Sequence, residues 1–280
     1  MITGSISITD CISLTTVRLP DVTYLTTFVF SGCYNLTTIE APNLQQIQTN
    51  MTFSLSKITT LYFPNLVSCL GNFGANCNSL TTINLPSIMN LGGFNPFSTS
   101  FGTLLSPVST IYMPNLVTCL GSNGVLFNAF GYYNSMFPLT TISFPELKYC
   151  TSFVVSMAVT LAAFYTLTTI SLPKLKSAYV IVQISTPCPT LTTVSMPELT
   201  DVGQLSFTNT QSAMTTLSFP KLVGVYNYAA RNLGSSVAIT TTTLGNATFT
   251  NTGTTTIDMP LLTTIDGQLV LGASTTYTTI

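Results

Sequence analysis

The sequence has very little charge. Lys and Arg number 7, Asp and Glu number 8, and charged residues make up 5% of the 280 residues, against roughly 25% in an average soluble domain. The net charge of −1 provides no basic surface for nucleic acid. Histidine is absent, which excludes Ser-His-Asp and Cys-His catalytic relays and any imidazole metal ligand. These absences predict a non-enzymatic protein without a cofactor or metal.

Two further absences concern export and membranes. The first residues, MITGSISITDC, contain no basic segment, no continuous apolar segment and no small-residue cleavage site, so no secretory signal peptide is predicted. The most membrane-like stretch, residues 153–165, has only 13 residues, whereas a membrane-spanning helix needs about 20. The sequence therefore predicts no membrane span, and it leaves the localisation open.

Hydroxyl groups supply the polarity that charges usually supply, because the chain contains 51 Thr and 28 Ser. Its dominant feature is a recurring phrase, L-T-T-I-x-L-P-x-L, seen as LTTIEAPNL from Leu36, LTTINLPSI from Leu80 and LTTISLPKL from Leu167. Such a period is typical of solenoids, in which each unit buries its apolar face only against its neighbours. The ten repeat prolines are Pro20, Pro42, Pro64, Pro86, Pro114, Pro145, Pro173, Pro197, Pro220 and Pro260.

Each unit predicts a short strand that Pro ends, because Pro cannot donate a hydrogen bond to a strand ladder. Five residues after each Pro, another position is always small or apolar, which indicates stacked coils in a fixed register. Thr, Ser, Val, Ile, Phe and Tyr favour strands over helices. We therefore predict a mostly β solenoid over residues 1–280, with short parallel strands, ten to twelve coils and little helix. The coils are longer at about 90–167, and a degenerate coil lies at about 238–250.

The second half of the unit reads F-S-G-C-Y-N-L at residues 30–36 and F-G-A-N-C-N-S-L at residues 73–80. Together with the recurring phrase, this pattern resembles the leucine-rich repeat family, and most closely its treponemal, or BspA-like, type of bacterial and protist surface proteins. The resemblance covers nearly the whole chain. It implies a leucine-rich-repeat solenoid and recognition or adhesion through a repeated surface. The stretched coils and the very low charge depart from the family pattern.

Seven cysteines are present, but no Cys-x-x-Cys spacing occurs, so no zinc site is predicted. Stacked coils would bring Cys11 near Cys33 and Cys119 near Cys150, with Cα atoms about 5 Å apart. Two interpretations remain open for these four residues. They form two disulfide bridges, or they are free thiols that pack in the core as small hydrophobic groups.

Strand alternation places two rows of side chains on the outward face of the repeated strand. The second Thr of each phrase forms one row, and the residue two positions later forms the other. The rows either bind a partner or solvate the sheet without charge. As a binding face, their best anchors are the two tyrosines, since aromatic residues dominate hot spots. The candidate face residues are Thr38, Thr60, Tyr62, Thr82, Asn84, Thr110 and Tyr112.

The longer coils contain segments rich in Phe, Tyr, Asn and Gly. Insertions in solenoids form loops on one face, which is often the binding face. These aromatic residues either form an exposed patch for a partner or fold back into the core. Two similar segments, GNFG at 71–74 and GSNG at 121–124, predict turn loops. The candidate loop aromatics are Phe94, Phe97, Phe101, Phe130, Tyr132 and Tyr133.

Two functional hypotheses follow. The first is a surface-exposed structural scaffold that self-associates or docks in a larger assembly, such as a fibre, a coat or a virus particle. Low charge motivates it, because weak repulsion between copies permits association. The second is an adhesin or receptor-binding module that recognises a protein or a glycan on a cell surface. An extracellular surface or a virus particle is the location that these hypotheses favour.

Overall fold

The computed structural model describes residues 4–96, 107–129, 138–157, 164–185, 188–208, 216–226, 247–250 and 256–271. Within these ranges the chain forms 26 strands and no helix. All of the strand pairs are parallel. The chain is therefore a β solenoid in which equivalent segments of successive coils lie side by side.

The recurring phrase forms one three-residue strand in each coil, as predicted. Pro follows two residues after the strand and occupies the second position of a β-turn, the position that its fixed φ favours. In the coil of Pro42, the turn is closed by the Leu44 N–H, which donates to the Ala41 carbonyl at 3.2 Å. The short strands are β2 (Thr16–Arg18), β5 (Thr38–Glu40), β8 (Thr60–Tyr62), β10 (Thr82–Asn84), β12 (Thr110–Tyr112), β14 (Thr141–Ser143), β16 (Thr169–Ser171), β18 (Thr193–Ser195), β21 (Thr216–Ser218) and β24 (Thr256–Asp258).

After the turn, the chain enters a second strand segment at the predicted apolar position. In some coils this segment is a separate two-residue strand, and in others it continues into the long strand described next. The separate strands are β3 (Tyr24–Leu25), β6 (Gln46–Ile47), β19 (Asp201–Val202), β22 (Gly224–Val225) and β25 (Thr264–Ile265).

The third segment of each coil is longer and joins its neighbours into one sheet of 16 strands within the described ranges. Its strands alternate buried and partly exposed residues, as in the pattern of β7. They are β1 (Ile6–Thr9), β4 (Phe28–Ser31), β7 (Met51–Leu55), β9 (Ser68–Cys77), β11 (Asn90–Asn95), β13 (Thr118–Ala129), β15 (Tyr149–Met157), β17 (Ser177–Ile184), β20 (Leu205–Thr208), β23 (Ala247–Thr250) and β26 (Leu269–Leu271).

The register predicted from the proline spacing is confirmed. The residue five positions after each Pro pairs with its equivalent in the next coil, from Leu25 with Ile47 through Cys119 with Cys150 to Val225 with Ile265. Nine of these ten side chains are at most 3% exposed, and Ile265 is partly buried against them. Proline therefore marks the same corner in every coil that the structure describes.

Phenylalanine rings fill the interior along the axis of the stack. Phe94, predicted as a loop aromatic, is fully buried among them. Its ring centroid lies 5.6 Å from that of Phe73 and 6.0 Å from that of Phe127. The prediction of an exposed patch is wrong for Phe94, because β11 continues through it in register with β9 and β13. The other candidate loop aromatics, Phe97, Phe101, Phe130, Tyr132 and Tyr133, lie outside the described residues.

The two glycine-containing segments are not turn loops. Residues 71–74 lie within β9 and residues 121–124 lie within β13. The register shifts between Leu91 and Gly93, where the backbones of successive coils come very close. A Cβ atom on Gly92 would overlap the carbonyl oxygen of Leu70, and one on Gly121 would overlap that of Gly92. Glycine is required here by close backbone approach, as is common at bulges.

Candidate functional site

The outward side chains of the short strands form a surface that we call the short-strand face. In its middle, β8, β10 and β12 pair so that Thr60, Thr82 and Thr110 lie in one row. Tyr62 and Tyr112 occupy the second row, and each is 51% exposed. These predicted site residues are therefore brought together on one face.

Asn84 lies between the two tyrosines in that second row. Its side-chain oxygen Oδ1 is covered and has no hydrogen-bond partner. A covered acceptor without a donor costs free energy, and an exposed aromatic ring stands on either side of it. The row therefore combines two apolar anchors with a polar group whose hydrogen-bonding capacity is unused.

The first Thr of the recurring phrase has a structural role that the sequence did not reveal. Its hydroxyl donates to the backbone carbonyl of its equivalent in the preceding coil, from Thr37 to Thr15 at 3.1 Å and from Thr81 to Thr59 at 3.1 Å. Similar bonds join Thr168 to its equivalent at 3.0 Å. The first Thr thus fastens neighbouring coils, while the second is left to contact solvent or a partner.

The short-strand face is interrupted between β5 and β8. The structure describes all of residues 37–64, and no strand pairing joins the two strands there. Between β8 and β10, the N–H groups of Thr81 and Thr82 donate to the Thr59 carbonyl. Within residues 37–64, the equivalent N–H groups of Thr59 and Thr60 do not donate to the Thr37 carbonyl. The opening is a groove of about 380 Å³, and its lining includes the predicted residues Thr38, Thr60 and Tyr62.

Phenylalanine marks the position of this interruption. Within the described residues, the short-strand face is also interrupted between β12 and β14 and between β18 and β21. Each interruption directly precedes a coil that has Phe before its Pro, namely Phe63, Phe144 or Phe219. These rings are buried against other phenylalanines, with centroids 5.8–6.3 Å apart. Each of the three interruptions therefore coincides with a buried phenylalanine ring directly before the Pro of the coil that follows.

Charge at the groove is balanced. Arg18 Nε lies 3.0 Å from Glu40 Oε2, and both side chains are well exposed. Glu40 is the only charged residue among those that line the groove, so the pair leaves the site with no net charge. An exposed pair of this kind contributes little to stability.

The residues that follow each Pro form a separate row at the corner of the coils. This row was not predicted from the sequence. In the first half of the chain the side chains of these residues donate to the carbonyl of the preceding coil's Pro, in the bonds of Asn43, Asn65, Ser87 and Asn115 at 2.6–2.8 Å. In the second half the same position carries ion pairs, since Lys174 Nζ lies 2.6 Å from Glu146. Lys221 contacts Glu198 in the same way at 2.7 Å. In the sequence, this row could have been identified from the polar or charged residues that directly follow most of the repeat prolines.

Comparison with known families agrees with this geometry. The family model of the BspA-type leucine-rich repeat region, which contains six copies of the repeat, matches residues 4–124 and 161–273. The chain belongs to the BspA-type leucine-rich repeat family. BspA-type leucine-rich repeat proteins act in protein interaction or adhesion and are typically non-enzymatic. No curated protein and no solved structure matches the chain.

The cysteines of this BspA-type protein are free thiols in the structure, so, of the two interpretations left open for Cys119 and Cys150, the core thiols are present. Cys119 and Cys150 are paired across β13 and β15 and fully buried. Burial raises the pKa of the Cys150 thiol to about 12. Cys33 is buried while Cys11 is exposed.

Among the residues that the structure describes, His, Cys, Asp and Glu form no group of three or more that could hold a metal ion. The same residues include no helix of the length and apolar character needed to cross a bilayer.

Proposed function

We propose that this protein is a non-enzymatic adhesion scaffold that binds a protein partner on a cell surface through its short-strand face. The observation that carries the proposal is the pair of half-exposed tyrosines, Tyr62 and Tyr112, held in one row on either side of Asn84. Family membership supports the general role in interaction or adhesion.

The row is suited to binding because its anchors are rigid and amphipathic. Tyr offers a large apolar contact area and a hydroxyl, and it loses little conformational entropy on binding. The strands beneath are fixed by the ladder and by the first-Thr hydroxyl bonds. A pre-organised face avoids much of the ordering cost of association. We therefore expect the two tyrosines to contribute a large share of the binding free energy.

The test is binding of the fluorescently labelled chain to a panel of intact cells, measured by flow cytometry. The variant Tyr62→Ala/Tyr112→Ala should lower the apparent affinity at least about tenfold. The matched control is Tyr34→Ala/Tyr165→Ala, which removes two tyrosines of 58% and 45% exposure from other surfaces. Protease treatment of the cells should abolish binding, because the proposed partner is a protein. Equal binding by the two double variants would contradict the proposal.

A second candidate function is self-association in a larger assembly, such as a fibre, a coat or a virus particle. It is favoured by a small apolar patch away from the short-strand face, in which Val67, Leu70 and Met89 are 39%, 59% and 45% exposed. The Met89 N–H donates to the Val67 carbonyl, so these two side chains are neighbours. The low charge of the chain opposes contact between copies only weakly.

Sedimentation velocity over a wide concentration range tests this second function. Self-association should shift the sedimentation coefficient upwards with concentration, and Met89→Lys should reduce that shift by placing a charge in the patch. A single species of 30.0 kDa at all concentrations would contradict it.

A further inference from the structure

We infer that the groove between β5 and β8 binds a neutral saccharide. The inference rests on the proposed binding role of the short-strand face and adds a second class of ligand to it. The groove has a volume of about 380 Å³, within the range of small-molecule sites in proteins. Six residues face each other across it, in the two lips Thr37, Thr38 and Glu40, and Thr59, Thr60 and Tyr62.

The chemistry of the lips matches that of a sugar ring. A sugar presents an apolar C–H face and a rim of hydroxyls that both donate and accept hydrogen bonds. Tyr62, half exposed at one lip, offers an aromatic face for the C–H surface. Thr59 and Thr60 offer hydroxyls that donate and accept. The Thr37 hydroxyl donates to the Thr15 carbonyl and contacts the Thr38 hydroxyl, so it offers only an acceptor. Glu40 offers carboxylate oxygens that accept.

Because β5 and β8 are not paired, the groove also exposes backbone groups that are hydrogen-bonded between β8, β10 and β12. Between paired strands, as between β8 and β10, the N–H groups of Thr81 and Thr82 are used by the Thr59 carbonyl. At the groove, where residues 37–64 are all described, the corresponding pairing is missing. The N–H of Thr59 and the carbonyl of Thr37 therefore remain for a ligand.

Charge complementarity selects an uncharged ligand. The carboxylate of Glu40 is compensated by Arg18 at 3.0 Å, and no other charged residue lines the groove. An anionic sugar would have to approach Glu40, and a cationic ligand would have to compete with Arg18. A neutral, hydroxyl-rich ligand meets neither cost.

The test uses four neutral trisaccharides as probes: maltotriose, cellotriose, chitotriose and mannotriose. Saturation-transfer-difference NMR detects binding to the full chain, and calorimetry then gives its Kd. At least one probe should bind with a Kd below about 10 mM. Tyr62→Ala should weaken that binding at least about tenfold, and Thr60→Val should weaken it by loss of one hydroxyl.

The chain offers matched controls for both variants. Tyr34 is 58% exposed and Thr52 lies in β7; both are outside the short-strand face and neither lines the groove. Tyr34→Ala and Thr52→Val should therefore leave saccharide binding within about twofold of the native value. Circular dichroism of each variant establishes that the fold is retained.

Three outcomes would overturn the inference. They are no binding by any of the four probes, equal losses for Tyr62→Ala and Tyr34→Ala, or tighter binding of an anionic sugar such as sialyllactose. The proposed protein binding is tested separately, because it requires both tyrosines and is sensitive to protease. Protein binding that persists without saccharide binding refutes this inference alone.

Discussion

Replacing Phe94 by Ala tests whether this ring belongs to the core. Phe94 is fully buried, and its centroid lies 5.6–6.1 Å from those of Phe73, Phe127 and Phe144. Truncation of a buried Phe to Ala costs about 3–5 kcal/mol. The three ring contacts place Phe94 towards the upper part of that range, since aromatic pairs contribute beyond their buried area. We therefore expect the free energy of unfolding to fall by about 4 kcal/mol.

Differential scanning calorimetry measures this loss. In a chain of this length, a loss of 1 kcal/mol lowers Tm by about 2 °C, so a loss of about 4 kcal/mol should lower Tm by about 8 °C. Phe94→Leu leaves a smaller cavity and should cost about 1–2 kcal/mol. The exposed Tyr112→Ala should change Tm by less than about 1 °C. A shift below about 2 °C for Phe94→Ala would refute the buried position and restore the exposed aromatic patch.

Three further predictions concern Phe63, Gly92 and Cys69. We expect the bulk of the Phe63 ring to keep β5 and β8 apart, so Phe63→Leu should let them pair and hydrogen exchange at the Ala41 and Thr59 amides should slow at least about tenfold; unchanged exchange would refute this effect of the ring. Gly92→Ala should lower Tm by about 4 °C in calorimetry because its Cβ would overlap a carbonyl oxygen, and an unchanged Tm would count against the close approach. Burial raises the pKa of Cys69 from 9.0 to about 12, so the unfolded thiol ionises first as pH rises and stability should fall from pH 9 towards 12; Cys69→Ala should reduce that fall in Tm measured across alkaline pH, and the same slope in both proteins would refute it.

Proline spacing carries most of the information about this fold. Because each Pro marks one corner, the position five residues later could be aligned across coils of unequal length, and its pairing from Leu25 to Ile265 is confirmed. The outward row of Thr60, Thr82 and Thr110 follows from the same phase by strand alternation. Regular local patterns therefore sufficed for the register and for the candidate face.

Features that depend on contacts between coils were not evident from the pattern of a single unit. Phe94 lies in a stretched coil that resembles a loop by composition, and only its neighbours in β9 and β13 make that segment a strand. The groove precedes the coil that contains Phe63, although LTTIEAPNL and ITTLYFPNL both fit the recurring phrase and the phrase alone marks no interruption between them. In the sequence, Gly92 resembles a turn glycine. Its real role is evident only from the Leu70 carbonyl oxygen of the preceding coil, which a Cβ atom on Gly92 would overlap.

The interruptions of the short-strand face have a mechanical consequence. Where β5 parts from β8, the 16-stranded sheet and the corner bond from Asn65 to the Pro42 carbonyl continue to join the two coils, but the short-strand face does not. Bending the axis at such a place stretches no backbone hydrogen bond on the short-strand face, so the elastic resistance there is lower than within the block β8, β10 and β12. Under a pulling force on the chain, strain should concentrate at the three interruptions beside Phe63, Phe144 and Phe219, while the blocks between them move as stiff segments.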